Sequence, residues 1–218
     1  MAQRSQPHAP RLSAPDLPPH LEDASPLTRA GDFFQVRWTT LDAQTDAAHA
    51  TLTECAVVGA SVDRLDLTGA SLVDVDVADL RASALSARSA RLRRVRITGG
   101  RIGTLDLADT DIDEVELRGV RIDYVSLAAA RITDLLIADC TIGTLDLPQA
   151  TVTRMAFADC RADDVDTRGV RAKELDLRGL EAVSYLDAAS LRGAILSSRQ
   201  VEYLAPALAV ALGIRVLD

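Results

Sequence analysis

Residues able to do covalent chemistry are few and scattered along this 218-residue chain. Cys55, Cys140 and Cys160 are odd in number and never as close as a Cys-x-x-Cys pair, so neither a disulfide framework nor a thiolate metal site is expected of them. Reduced, they read as small core residues. His8 and His20 fall in a proline-rich stretch with no core to hold a ligand geometry, and His49 stands alone, which favours a structural role. There is no Gly-rich phosphate loop and no Gly-x-Ser-x-Gly elbow, and the glycines of TGGRIG at 98–103 read as occupants of tight corners. The expectation is a protein that is not an enzyme, with no catalytic, cofactor-binding or metal-ligating residue and no cofactor. What the spacing does organise is charge. Asp66, Asp106, Asp146 and Asp166 are separated by multiples of twenty, as are Asp76, Glu116 and Asp176, and as are Arg81, Arg101, Arg121 and Arg161. Charges in columns do the chemistry of electrostatic recognition. The two acidic columns are candidate interaction surfaces; the arginine column is a candidate anion-binding stripe, or a row tolerated because Arg side chains fan apart beside Asp79, Asp123 and Asp163.

Such columns need an element with a twenty-residue period, and the apolar residues supply one. Of the twenty-seven positions taken every fifth residue from Leu52 to Ala182, all but Thr167 are apolar, in a chain whose hydrophobic content is 48%. A second apolar column runs two residues earlier, through Cys55, Ala60, Leu65, Ala70, Val75 and Leu80. Period five matches neither the 3.6 of a helix nor the 2 of a flat strand. A chain that turns a corner every five residues accounts for both columns, with one residue inward at the middle of each side and one at the preceding corner. Four sides close a coil of twenty residues, and roughly seven coils stacked as parallel strands ~4.8 Å apart make a rod ~34 Å long. Aromatic residues are 3% of the chain, which suits a narrow interior filled by Ala, Val, Leu and Ile. This register points Leu107, Leu127 and Leu147 inward and Asp106 and Asp146 outward, and it sets Cys140 and Cys160 in neighbouring coils as free thiols.

With runs such as Leu65-Asp66-Leu67-Thr68-Gly69 and Leu175-Asp176-Leu177-Arg178-Gly179, the segment from Thr51 to Ala182 resembles the pentapeptide repeat proteins. The resemblance implies an all-β solenoid, a right-handed quadrilateral β-helix. Two departures stand out. The chain has no Asn for side-chain ladders, which predicts looser corners, and Phe157 is the one aromatic of the central column, which predicts a narrower core. Some members of the family bind DNA gyrase or topoisomerase IV and protect against quinolones by imitating duplex DNA; the resemblance makes that one expectation for the acidic columns.

The remaining segments divide the chain. Residues 1–31 hold six of the eight prolines and are expected to be a disordered or loosely attached tail. Residues 32–49 (Phe33, Phe34, Trp38, Leu41) are apolar but off register, an irregular first coil that plugs the open end. The repeats occupy 50–196. Residues 197–218 read as a capping helix, with Ser197 or Ser198 as N-cap, Gly213 after its end and Pro206 as a kink or restart. Its stripe Val201, Leu204, Leu208 and Leu212 lies in a stretch apolar all round, so one side is expected on the last coil and the other in a homodimer. A net charge of -8 argues against direct nucleic-acid binding, and no apolar window is long enough to span a bilayer or act as a secretory signal, so a cytoplasmic protein without membrane contact is expected. The functional expectation is a rigid scaffold for an unidentified protein partner, with the gyrase-binding DNA mimic as the alternative.

Overall fold

The structure, a computed structural model, describes residues 7–24 and 26–215. From Thr51 to Asp146 each twenty-residue coil contributes one eight-residue and one six-residue strand, as in Thr51–Val58 and Ser61–Asp66, then Ser71–Ala78 and Arg81–Ser86. The longer strand carries a corner within it, at Glu54, Asp74, Arg94 and Glu114, where φ lies between 50° and 56°. All strands pair in parallel at an offset of twenty through the repeat, so Leu52 lies beside Leu72, and Leu105 between Leu85 and Val125. Eight strands line one of the two sheets, which sets eight stacked levels.

The five-residue period dictates this packing because equal steps around a square return equivalent side chains to the inside. Leu107, Leu127 and Leu147 are at most 2% exposed, and the corner residues Leu105, Val125 and Leu145 are fully buried beside them. The coils make the chain a four-sided parallel β-solenoid with a five-residue side. Its corners are regular rather than loose. Asp and Gly occupy most of the left-handed positions at the turns between strands, with φ of 53° at Asp79, 54° at Asp139, 66° at Gly59 and 64° at Gly119, because a short polar side chain and a missing Cβ both relieve the clash that disfavours other residues there. Backbone bonds such as Gly59 N–H to the Ala78 carbonyl, 2.8 Å, continue the ladder through them.

The off-register segment 32–49 forms the lowest level. Asp32–Phe34 and Val36–Trp38 pair with the next coil at an offset of nineteen, whereas Gln44–Asp46 pairs at twenty. Trp38, 3% exposed, meets Phe33 edge to face at 5.1 Å and, with buried Leu27, closes the bottom of the core. At the top, a helix from Ser198 to Ala211 covers the last coil. Ser197 caps it, its hydroxyl accepting from the Gln200 N–H while the Gln200 side chain accepts from the Ser197 N–H, and Pro206 sits inside a continuous helix without a restart.

Residues 7–24 differ from expectation. Instead of a loose tail, they run down the side of the solenoid, with Pro7, Pro10, Leu12, Pro15 and Leu17 half-buried. Composition alone denies this segment a core of its own; the finished solenoid provides partners for it, which no local pattern encodes.

Candidate interaction surfaces

The acidic columns stand where the register puts them, but they are not bare. Asp66 pairs with Arg64 at 3.7 Å, Asp106 with Arg88 at 3.1 Å, Asp76 with Arg96 at 2.9 Å, Glu116 with Arg118 at 2.8 Å and Asp176 with Arg178 at 2.6 Å. Asp166 is held by the Arg168 guanidinium and Asp146 accepts from the Tyr124 hydroxyl. Asp166 is also 4% exposed, which corrects its expected place in a solvent-facing column: Arg168, two residues on, folds back over it. The same contact explains why the Asp166 carboxyl stays below the usual carboxylate range. Burial works against ionisation of Asp66 and Asp176, but hydrogen bonds from Thr68 and from Arg178 outweigh it and lower both. Six of the seven acids therefore carry an arginine, so most of the negative charge in the two columns is paired.

The arginine column does stack on consecutive coils, Arg81 beside Arg101 and Arg101 beside Arg121, with Thr141 between Arg121 and Arg161. Arg101 binds Asp123 at 2.9 Å and Arg161 meets Glu181 at 3.5 Å. Among the described residues, Arg81 and Arg121 have no ion-pair partner. Beside Arg81 and Arg101 lies an open groove whose wall includes Ser83, Gly103, Asp63, Asp79 and Asp123. Its three acids outnumber its two arginines, so the groove offers no net positive charge to an anion.

A fourth charged column runs beside these three. At the corner within the longer strands stand Glu54, Asp74, Arg94, Glu114, Asp134, Arg154 and Glu174, one per coil. Arg94 grips Asp74 through two bonds, Nε to Oδ1 at 2.6 Å and a second guanidinium nitrogen to Oδ2, and Arg154 grips Asp134 in the same way at 2.6 Å and 2.6 Å. These planar two-point contacts match the guanidinium fork to the carboxylate. The Arg94 bonds hold the Asp74 carboxyl below its ordinary range. Burial opposes ionisation of Asp134, but Arg154 and the Arg11 N–H outweigh it in the same direction. The N-terminal segment docks here. The Asp16 N–H donates to Asp74, the Ser13 N–H to Glu114, the Arg11 N–H to Asp134 and the His8 N–H to Glu174, at 3.0, 3.0, 2.8 and 3.3 Å. The recurrence of Asp or Glu with Arg every third coil was the available signal; it is masked in the sequence because the period spans sixty residues.

The thiols of Cys140 and Cys160 lie in successive coils, buried and free, each donating to main-chain carbonyls. The Cys160 contact and burial together push the Cys140 thiol up. Among the described residues no His, Cys, Asp and Glu cluster suits a metal, and no described helix is long and apolar enough to cross a membrane.

On the C-terminal helix, the expected stripe splits. Leu204, 4% exposed, and Leu208 pack on the last coil, so they are not free for a second subunit, while Val201 and Leu212 are 44% and 76% exposed. Tyr203, Val210 and Ile214 are exposed as well. Leu204 shares the buried cluster with Leu191 and Ala188 of the final turn, against which the helix packs, and this contact divides a stripe that sequence periodicity treats as one face.

No family model matches the sequence, and no curated protein matches it. Among solved structures the chain is similar to HetL, a pentapeptide repeat protein involved in heterocyst differentiation regulation from a Nostoc cyanobacterium, at 13% identity over 76% of this chain and 86% of that one, with a TM-score of 0.34.

Proposed function

We propose that this pentapeptide-repeat β-helix is a non-enzymatic scaffold that assembles as a homodimer through its C-terminal helix and offers its faces to a protein partner in the cytoplasm. One observation carries the reading: the helix that covers the last coil turns Val201, Tyr203, Val210, Leu212 and Ile214 to solvent. Apolar side chains grouped at the end of a rod mark an association surface, and a two-fold axis there would bury the same patch on both copies. Light scattering of the wild type is expected to give a dimer, and Val210→Asp with Leu212→Asp a folded monomer. A wild-type monomer at tens of micromolar overturns the reading.

The gyrase-binding DNA mimic has weaker support. DNA carries one charge per ~1.7 Å of axis, whereas an acid on each face comes at most once per ~4.8 Å coil, and six of the seven acids in the two columns are paired with arginine. If mimicry operated, the wild type would inhibit supercoiling by gyrase and the variant with Asp66, Asp106, Asp146 and Asp166 changed to Asn would not. A wild type without effect on gyrase leaves the scaffold reading alone.

A further inference from the structure

The N-terminal segment shows what the corner column can hold. Its four bonds run from His8 to Asp16, eight residues, and descend five coils from Glu174 to Asp74. Five coils are ~24 Å, and eight residues of polyproline II are ~25 Å. The match repeats within the segment. The steps from His8 to Arg11 and from Ser13 to Asp16 are three residues, ~9.3 Å of polyproline II, and each crosses two coils, ~9.6 Å.

We propose that the corner column is a docking track for extended, proline-rich segments of other proteins, and that this chain's own residues 7–18 occupy it as a tethered stand-in. All four donors are main-chain N–H groups, so the track reads backbone pitch rather than a side-chain code. It demands a residue other than proline at those four positions and an extended chain between them, which Pro10 and Pro15 enforce. Side-chain charge narrows the choice. His8 Nδ1 lies 2.7 Å from Glu174, and the charges of Arg11 and Asp16 are felt by Asp134 and Arg94, so a fitting segment is basic or neutral along the track and acidic only beside Arg94.

The track does not depend on its occupant. Arg94 and Arg154 hold the Asp74 and Asp134 carboxylates from within the solenoid, leaving each an oxygen that also accepts from the incoming N–H. The occupant, by contrast, is lightly held. Residues 7–21 contribute no strand, and the first sheet pairing is that of Glu22 and Asp23 with Val36 and Arg37. A segment attached by isolated contacts opens more easily than the ladder beneath it.

The test uses the full chain and a fluorescent synthetic peptide of residues 7–20. Arg11→Pro with Ser13→Pro removes two donors while keeping the extended backbone. A tethered segment competes at millimolar effective concentration, so the double-proline chain is expected to bind the peptide at least about tenfold more tightly than the wild type. Binding should weaken with salt and weaken further when Glu114→Gln removes one carboxylate of the track, and a peptide bearing prolines at 11 and 13 should not bind. Equal binding by the wild-type and double-proline chains, or equal binding of the two peptides, overturns the proposal. Exchange of segments between wild-type chains would assign the track to a second copy and also overturn it. If the double-proline chain loses its β-sheet circular dichroism, Ser13→Pro alone supports the same comparison. The outcome is independent of the C-terminal dimer, because the track and the helix do not share a residue.

Discussion

Replacing Asp134 with asparagine tests whether the corner column holds the solenoid together as well as its N-terminal segment. The residue is 3% exposed, and its carboxylate accepts two 2.6 Å bonds from Arg154 and one of 2.8 Å from the Arg11 N–H. Asparagine keeps the volume but removes the charge and turns an amide NH2 toward a guanidinium. Removing one partner of a buried ion pair costs about 3–5 kcal/mol. The Arg154 side chain retains 18% exposure, so water takes up part of its orphaned charge and about 2–3 kcal/mol is the expected loss. Urea unfolding followed by circular dichroism at pH 7 should show this as a lower midpoint with an unchanged slope. The pH dependence has a definite sign. The folded Asp134 carboxyl lies below its ordinary value, so its stabilisation is fully present above the unfolded pKa of about 3.9 and is lost as pH falls through the folded value. The gap between wild type and variant should hold from pH 7 to about 5 and close in stronger acid. A variant within about 0.5 kcal/mol of wild type at pH 7, or a gap that persists in acid, would refute the reasoning.

Two further substitutions probe the packing. The Tyr185 hydroxyl is buried in the last coil without a hydrogen-bond partner among the described residues, and burial pushes its pKa up to about 12; Tyr185→Phe should raise stability by about 1 kcal/mol, and a lower melting temperature would show that the hydroxyl is bonded after all. At Gly143 an added Cβ would stand 2.3 Å from the Asp123 carbonyl oxygen of the preceding coil, whereas at Gly119, with φ of 64°, nothing lies within 4 Å. Gly143→Ala should therefore cost about 1–3 kcal/mol and Gly119→Ala about 1, measured by thermal denaturation; the reverse order would contradict the coil spacing at Gly143.

The fold was legible because a five-residue period acts locally and repeats. Each step turns the chain by the same corner, so Leu107, Leu127 and Leu147 have to share one interior column and twenty residues have to close one coil. The helix was legible for the same reason, since Ser197 and Gln200 cap it within a single turn. Charge pairing was not. Asp166 finds Arg168 two residues away, Asp74 finds Arg94 twenty away and Asp106 finds Arg88 eighteen away. Nothing in the spacing ranks these choices, because rotamers and the distance between coils decide which guanidinium reaches which carboxylate. The split of the C-terminal stripe, with Leu204 inward and Leu212 outward, needed the contact of the helix with the final turn, which no periodicity specifies. The N-terminal segment depended on tertiary structure most of all. Residues 7–18 hold too little apolar surface to order themselves, and their place is set by carboxylates from Asp74 to Glu174 that become a column only after the coils have stacked.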